Sequence, residues 1–393
     1  MTRPWPTIIA LWLLGVLAAA QLAKISIIAP LLQSRFGLSL PRMGLLISLL
    51  EVGGATLGFV AGLSLDRIGL RRCLLTGLVL LTVSGLVEAM APDVGALFVA
   101  RALEGVAYLL VVIAAPTAIA RVAGDTERGA ALALWSSFFA IGVALGGALT
   151  SLAVDHIGTG GVMGGWAALL ALAGLVAHRL PIGDVVADKA RPRRMPRAAA
   201  WFATLAFGIY TFFGCALTLL LPTYLIRVAG ASVTQAGLVT SVASMSTLPG
   251  CVLAVFLTRR GPLTSRMTVL IAVCMLALTA VAVPAVFHAM PGRMMPACVF
   301  AIIALMVSGL VPPLMFARLP MLAGAHRVGD PRIAIANGLL TQFGAGGALL
   351  GPPVGALLVE HQGWAGLGHA LSLAVLAMLL VTLLAEALHV RTA

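Results

Sequence analysis

The chain has 393 residues, of which 61% are hydrophobic and 10% charged, with a formal net charge of +12. Its mean hydropathy is +1.09. Soluble domains carry about 25% charged residues, so a soluble fold is excluded. The positive charge then reads as the arginine bias of cytoplasmic loops in a polytopic membrane protein, because no soluble domain remains to carry a nucleic-acid face.

A membrane-spanning helix needs about 20 apolar residues. Twelve runs qualify: 7–33, 43–64, 73–92, 94–119, 129–154, 161–180, 199–226, 235–258, 267–288, 294–317, 333–359 and 366–388. The first follows Arg3, is longer than a signal-peptide core and is expected to be a retained helix. The third and fourth are separated by a Pro92-Asp93 turn. A basic, proline-containing stretch at 181–198 reads as a cytoplasmic linker. It divides the chain into an N-terminal six-helix bundle (1–180) and a C-terminal one (199–393). The expected fold is therefore an all-α membrane protein of twelve transmembrane helices in two pseudo-symmetric six-helix bundles. Most Lys and Arg fall in connections on the side that holds both termini, against Arg35, Arg42, Arg227 and Arg293 on the other, which places both termini in the cytoplasm.

The halves read as repeats. A shift of about 205 residues lays Phe138, Gly142 and Gly146 on Phe343, Gly347 and Gly351. Parallel repeats with a site between them at mid-membrane are a transporter plan. Cys73, Cys215, Cys251, Cys274 and Cys298 are scattered through apolar runs and read as packing residues, and the seven His show no metal-ligand spacing.

Lys24, Glu51, Glu88, Arg101 and Glu104 fall well inside the runs. An ion near a helix centre costs about 2.5–3.5 kcal/mol on the insertion scale, so each is a candidate functional group. Lys24, Glu51, Arg101 and Glu104 are expected to share one layer about 10–15 Å below the outer surface, counting 1.5 Å per residue. There Lys24 is expected to pair with Glu51, and Arg101 with Glu104 at i, i+3. Glu88, near an outer helix end, reads as a snorkelling surface acid. The second half has no ion at the matching positions, Ala216 or Leu217 for Lys24 and Ser244 for Glu51, so ion handling is assigned to the first half. Tyr210, Gln342 and Asn337 are its polar candidates, with helix-packing hydrogen bonds as the competing reading. Trp135 is placed deep enough to face a cavity.

Between the second and third runs stands a hydrophilic stretch with Gly62, Asp66, Arg67, Gly69, Arg71 and Arg72. A turn this charged belongs in water. It resembles the loop G-x-x-x-D-R-x-G-x-R-R of the major facilitator superfamily. Arg101 and Gly105 likewise resemble that family's fourth-helix pattern L-x-x-x-R-x-x-x-G, with Glu104 at a position where Gln is frequent. The fifth helix departs from the exporter pattern G-x-x-x-G-P, since Gly147 replaces the proline; the match appears instead at Gly347, Gly351 and Pro352. The resemblance implies a secondary active transporter working by alternating access, with the Gly62–Arg72 loop latching the halves and Lys24, Glu51, Arg101, Glu104, Tyr210 and Gln342 serving substrate or coupling. Glu104 is the expected proton carrier and Glu51 the second choice. A finer likeness, to the cyanate and nitroimidazole transporter group, rests on Gln21, Lys24, Arg101, Glu104, Gly105 and the Trp135 region. It implies a small polar or anionic solute with Lys24 or Arg101 as counter-charge. Proton-linked efflux of amphipathic compounds is the alternative. A membrane-embedded enzyme is a third reading, against which stands the lack of a nucleophile, phosphate-loop or metal motif. The expected partners are a small-molecule substrate, protons and the lipid bilayer, with no nucleic acid and no cofactor, for a monomer in the plasma membrane.

Overall fold

The structure is a computed structural model that describes residues 4–182, 195–259, 264–288, 294–325 and 330–392. At residues 61–68, 124–126, 128, 129, 133, 255, 258, 259, 331, 334 and 392 the backbone alone is described. Most of the expected linker thus lies outside the described residues, as do the side chains of Asp66 and Arg67.

Regular structure among the described residues is helical throughout. Helix α1 spans Trp5–Phe36; α2 (Leu40–Ser48) and α3 (Val52–Ile68) flank a 3-10 turn at Leu49–Glu51. Then come α4 (Leu70–Ala89), α5 (Val94–Val122), α6 (Gly124–Ser136) and α7 (Phe138–His178). The second half holds α8 (Ala198–Arg227), α9 (Val233–Met245), α10 (Thr247–Arg259) and α11 (Ser265–Val286). It ends with α12 (Met294–Ser308), α13 (Val311–Leu322) and α14 (Pro331–Thr392).

Ten helices among the described residues are long and apolar enough to cross a membrane, which corrects the expected twelve. The difference arises at two glycines. The sequence reading placed gaps at 155–160 and 360–365, but α7 and α14 run through both, with a single non-helical residue in each. Gly158 has φ 67 and ψ 177; Gly363 has φ 73 and ψ −179. Without a Cβ, glycine adopts this backbone at little cost and redirects the chain in one step. In α7, Trp166 Nε1 donates to Thr150 Oγ1 at 3.0 Å across 16 residues. An unbroken helix would hold those residues about 24 Å apart, so the two limbs of α7 fold against each other. The hydrophilic stretch is also not an open loop. Helix α3 reaches Ile68 and α4 begins at Leu70, leaving Gly69, at φ 91 and ψ 136, as the entire connection.

The outward surface is apolar, as a bilayer requires: Val281 is 76% exposed, and Leu270, Leu373 and Leu380 stand out likewise. Inside, one buried apolar cluster draws on residues 8–182, joined by Cys215, Leu219 and Ala348. A second draws on residues 199–385, joined by Leu40. In each, glycines let two helix backbones meet. A Cβ on Gly142 would lie 2.6 Å from Val16 O, and one on Gly146 would lie 2.5 Å from Ala20 O. In the second half Gly347 abuts Gly208 O, and a Cβ on Gly351 would lie 2.5 Å from Phe212 O. The α1–α7 contact thus recurs, residue for residue, between α8 and α14.

From the middle of α1 to the start of α2 and at Asp155, hydrogen bonds join the first half of the chain to the second. Arg227 Nη2 donates to Gln33 Oε1 at 2.7 Å, and Ser26 Oγ to Leu219 O at 2.6 Å. Glu360 Oε1 accepts from Leu40 N at 3.2 Å, capping α2, and Thr234 Oγ1 donates to Asp155 Oδ2 at 3.3 Å.

Candidate functional site

The site is built where the second apolar run breaks. At Leu49–Glu51 the helix tightens, and the N–H of Val52 bonds Leu49 O three residues back. Arg101 of α5 occupies the carbonyls at this break. Its Nε donates to Leu46 O at 3.1 Å and its Nη2 to Ile47 O at 3.0 Å. Glycines bring α5 this close: a Cβ on Gly105 would lie 2.5 Å from Leu49 O, and one on Gly53 would lie 2.5 Å from Gly105 O.

Arg101 Nη1 also bonds Glu104 Oε2 and stands 3.9 Å from Glu88 Oε1. Lys24 Nζ of α1 completes the group, 2.7 Å from Glu88 Oε2 and 3.1 Å from Glu104 Oε1. Lys24, Arg101 and Glu104 are fully buried, and Glu88 is 3% exposed. Two cations and two carboxylates therefore form a closed, neutral quartet across α1, α4 and α5. This corrects two expectations. Glu88 is a buried member of the quartet and not a surface acid, and Lys24 pairs with Glu88 and Glu104 instead of Glu51. The Arg101–Glu104 pair forms as the spacing suggested.

Glu51 stands beside the quartet without joining it. It is 7% exposed, and among the described residues no hydrogen bond or ion pair reaches its carboxylate. A Cβ on Gly54 would lie 3.8 Å from Glu51 Oε2 and 2.6 Å from Ala345 Cβ, which puts the carboxylate at the seam between α3 and α14. Arg101, Tyr108 of α5 and Cys215 of α8 lie within its electrostatic reach.

The other sequence candidates lie on several helices. Gln342 backs onto the seam, its backbone N 3.3 Å from where a Gly58 Cβ would stand. Tyr210 stacks on Phe207 with centroids 5.9 Å apart. Asn337 is exposed. Trp135 stacks on Phe138 at 4.3 Å and packs over Gly15. Of the hydrophilic stretch, Arg71 Nη2 donates to His178 O at 2.6 Å within the first half, and Arg72 is exposed. The side chains of Asp66 and Arg67, and the surroundings of Gly62, fall outside the described residues.

Sequence reasoning missed a second buried ion pair. Arg318 Nε of α13 donates to Glu386 Oε1 of α14 at 3.0 Å, its Nη2 also bonds Glu386 Oε2, and Nη2 donates to Ser265 Oγ at 3.0 Å. Arg318 follows directly on the expected span 294–317, where a cation reads as part of a connection. The signal available was Glu386, an acid inside an apolar run. The pair helps line a cleft with Ala203, Met275, Leu314 and Met378 in the second core, and Glu51 is not part of that lining. Among the described residues no group of three or more His, Cys, Asp or Glu is placed to hold a metal ion.

The described residues thus form an all-helical, multi-pass membrane protein with an ion quartet held against a broken helix. The family follows from the sequence: the Major Facilitator Superfamily profile matches residues 11–331, and the chain belongs to that family. Among characterised relatives it is 32% identical over 159 residues to an arabinose-proton symporter of Bacillus subtilis (strain 168), covering 40% of this chain and 34% of the relative. It is 31% identical over 153 residues to D-xylose-proton symporter-like 3, chloroplastic, of Arabidopsis thaliana, covering 38% of this chain and 26% of the relative. The chain thus spans about a third of the length of the curated relatives it matches. Among solved structures, a bacterial homologue of the human lysosomal transporter Spinster, inward-facing and occupied, superposes with a TM-score of 0.74. It is 15% identical and covers 100% of this chain and 97% of that one, so the likeness is one of fold.

Proposed function

We propose that the chain is a secondary active transporter that moves a small polar or anionic solute across the membrane by alternating access, driven by protons. The observation that carries this reading is the neutral quartet of Lys24, Glu88, Arg101 and Glu104 clamped to the break at Leu49–Glu51. Buried ions on this scale are costly and are retained where they serve ion or substrate movement. The relatives named above as arabinose- and xylose-proton symporters support a polar solute and a proton gradient. The two halves, 1–180 and 199–393, rock about the seam between α3 and α14, with Glu51, Tyr210 and Gln342 facing the solute. Gly62, Asp66, Arg67, Gly69, Arg71 and Arg72 act as a latch on the arginine-rich, cytoplasmic side, and the protein works as a monomer in the plasma membrane.

The finer assignment to cyanate or nitroimidazole transport is the narrower version of this reading. It rests on Gln21, Lys24 and the Arg101–Gly105 segment. Both cations it would use as counter-charge are already neutralised in the quartet, so an anion would have to displace Glu88 or Glu104. A second reading, efflux of amphipathic compounds, draws on the aromatic residues Trp135, Phe138, Phe207 and Tyr210 near the seam.

The test is transport in proteoliposomes with an imposed pH gradient, using labelled L-arabinose, D-xylose and cyanate. Accumulation of one solute, abolished by a protonophore, supports the reading. A solute that equilibrates but never accumulates removes the proton coupling, and accumulation of cyanate alone selects the narrower assignment.

A further inference from the structure

We propose that Glu51 is the group that takes up and releases the transported proton, while the Lys24–Glu88–Arg101–Glu104 quartet stays closed beside it. This rests on the proton-coupled reading above and names the residue that carries the proton.

Charge balance makes the first argument. The quartet is neutral with all four members ionised, and it leaves no cation for Glu51. Glu51 is 93% buried, given its 7% exposure, and has no hydrogen-bond or ion-pair partner for its carboxylate among the described residues. A lone buried carboxylate is costly, whereas the same group as a neutral acid is tolerated. The cation that fits is a proton, which forms an O–H bond at one carboxylate oxygen and leaves to water when the carboxylate re-forms. No redox partner or co-reactant is needed.

Position makes the second. Glu104 is held by both cations, and Glu88 lies against Lys24. Both are tied into the quartet, although Glu88 Oε1 keeps no hydrogen bond there. Glu51 stands at the seam, across Gly54 from Ala345 of α14 and within reach of Cys215 of α8. The groups that face it are therefore Arg101, Glu104 and Tyr108 from α5, Lys24 from α1 and Glu88 from α4 through the quartet, Cys215 from α8, and the uncharged Ala345 and Gln342 from α14. A group on the seam between rocking halves meets each side of the membrane in turn, and a closed quartet does not.

The third argument is mechanical. Glu51 is the last residue of the 3-10 turn whose preceding carbonyls, Leu46 and Ile47, are held by Arg101. An ionised Glu51 competes with those carbonyls and with Glu104 for Arg101. A protonated Glu51 does not. Its proton thereby biases the bend of the second span, which lies against α14.

Infrared difference spectroscopy of the purified full-length protein tests this without a known solute. The carbonyl band of a protonated carboxylic acid is followed while pH is varied, in wild type, Glu51→Gln, Glu51→Asp, Glu88→Gln and Glu104→Gln. Each variant is first checked for folding by gel filtration and thermal unfolding. The expected result is a titrating band in wild type that is lost in Glu51→Gln, displaced in Glu51→Asp, and kept in Glu88→Gln and Glu104→Gln. A band undiminished in folded Glu51→Gln, or none in wild type, overturns the proposal. A wild-type band lost with Glu51→Gln, in a protein that accumulates no solute under a pH gradient, supports the proton site and removes the transport reading instead.

Discussion

Lys24 Nζ lies 2.7 Å from Glu88 Oε2, joining α1 to α4 across 64 residues of chain. The contact is wholly buried, and Lys24 is shared with Glu104 at 3.1 Å. Removing one member of a buried pair leaves an uncompensated charge and costs about 3–5 kcal/mol, while replacing both members by uncharged groups costs far less. Lys24→Ala is therefore expected to lower stability by about that amount. Lys24→Met combined with Glu88→Gln recovers most of it, because Arg101 and Glu104 remain as a neutral pair. Thermal unfolding in detergent over the double-mutant cycle measures the coupling. Equal losses in single and double variants would show that charge balance does not hold α1 to α4.

The recurring glycine contacts give a second expectation. At Gly146 and Gly351 an added Cβ meets backbone at 2.5 Å, so the helices must separate. Gly146→Ala and Gly351→Ala should each destabilise by about 1–3 kcal/mol, the usual cost of overpacking. Gly164 of α7, and Gly214 of α8, the helix against which Gly351 packs, have nothing within 4 Å of an added Cβ. Their alanine variants should be neutral or slightly stabilising, since alanine favours helix. Similar melting temperatures for all four variants would remove the close approach as a source of stability.

What the sequence revealed follows from what periodicity can carry. Apolar run length located nearly every helix, because crossing a bilayer leaves a long, uninterrupted record. The backbone angles of Gly158 and Gly363 were not readable, since nothing marks one glycine out among the chain's 43. In the site, Lys24, Arg101 and Glu104 were found because each is an ion in an apolar run. The Arg101–Glu104 pair was legible from its i, i+3 spacing, but the partners of Lys24 were not, because depth along a helix says nothing about rotation around it. Depth put Glu51 beside Lys24, and rotation put Glu88 there. Arg318 and Glu386 were lost for a related reason: both stand near expected helix ends, where an ion reads as solvated.

The hydrogen bonds at the α1–α2 end predict how the halves part. Glu360 caps α2 through Leu40 N, and Arg227 holds Gln33. Each net contribution is about 0.5–1.5 kcal/mol. Glu360→Ala with Arg227→Ala should therefore shift the closed-to-open ratio at this end by roughly tenfold or more, tenfold corresponding to 1.4 kcal/mol. Spin labels at Ser34→Cys and Ser232→Cys, with the five native cysteines replaced, report the distance across the end. A longer-distance population that grows in the double variant is expected, and an unchanged distribution would show that other contacts keep the end closed.

Arg101 bridges the quartet and the break, and its shape is what allows it. The planar guanidinium bonds Leu46 O, Ile47 O and Glu104 at once, whereas a lysine ammonium is a single point charge on a flexible stem. Arg101→Lys should keep the charge beside Glu104 and release the two carbonyls. An unsatisfied carbonyl in an apolar interior is costly, so Leu46 O and Ile47 O are expected to recover the amides four residues on, those of Leu50 and Glu51. The break then relaxes toward regular helix. Hydrogen exchange of a peptide covering this segment should slow by up to roughly tenfold, in line with about 0.5–1.5 kcal/mol for a neutral amide–carbonyl bond, tenfold being about 1.4 kcal/mol. The paired variant Lys24→Met with Glu88→Gln leaves Arg101 and both carbonyl bonds in place, so its exchange at Leu50 and Glu51 should match wild type. Slowing in both variants would mean that the quartet as a whole sets the bend. Slowing in neither would mean that Gly53, packed against the Gly105 carbonyl, holds the break open by itself.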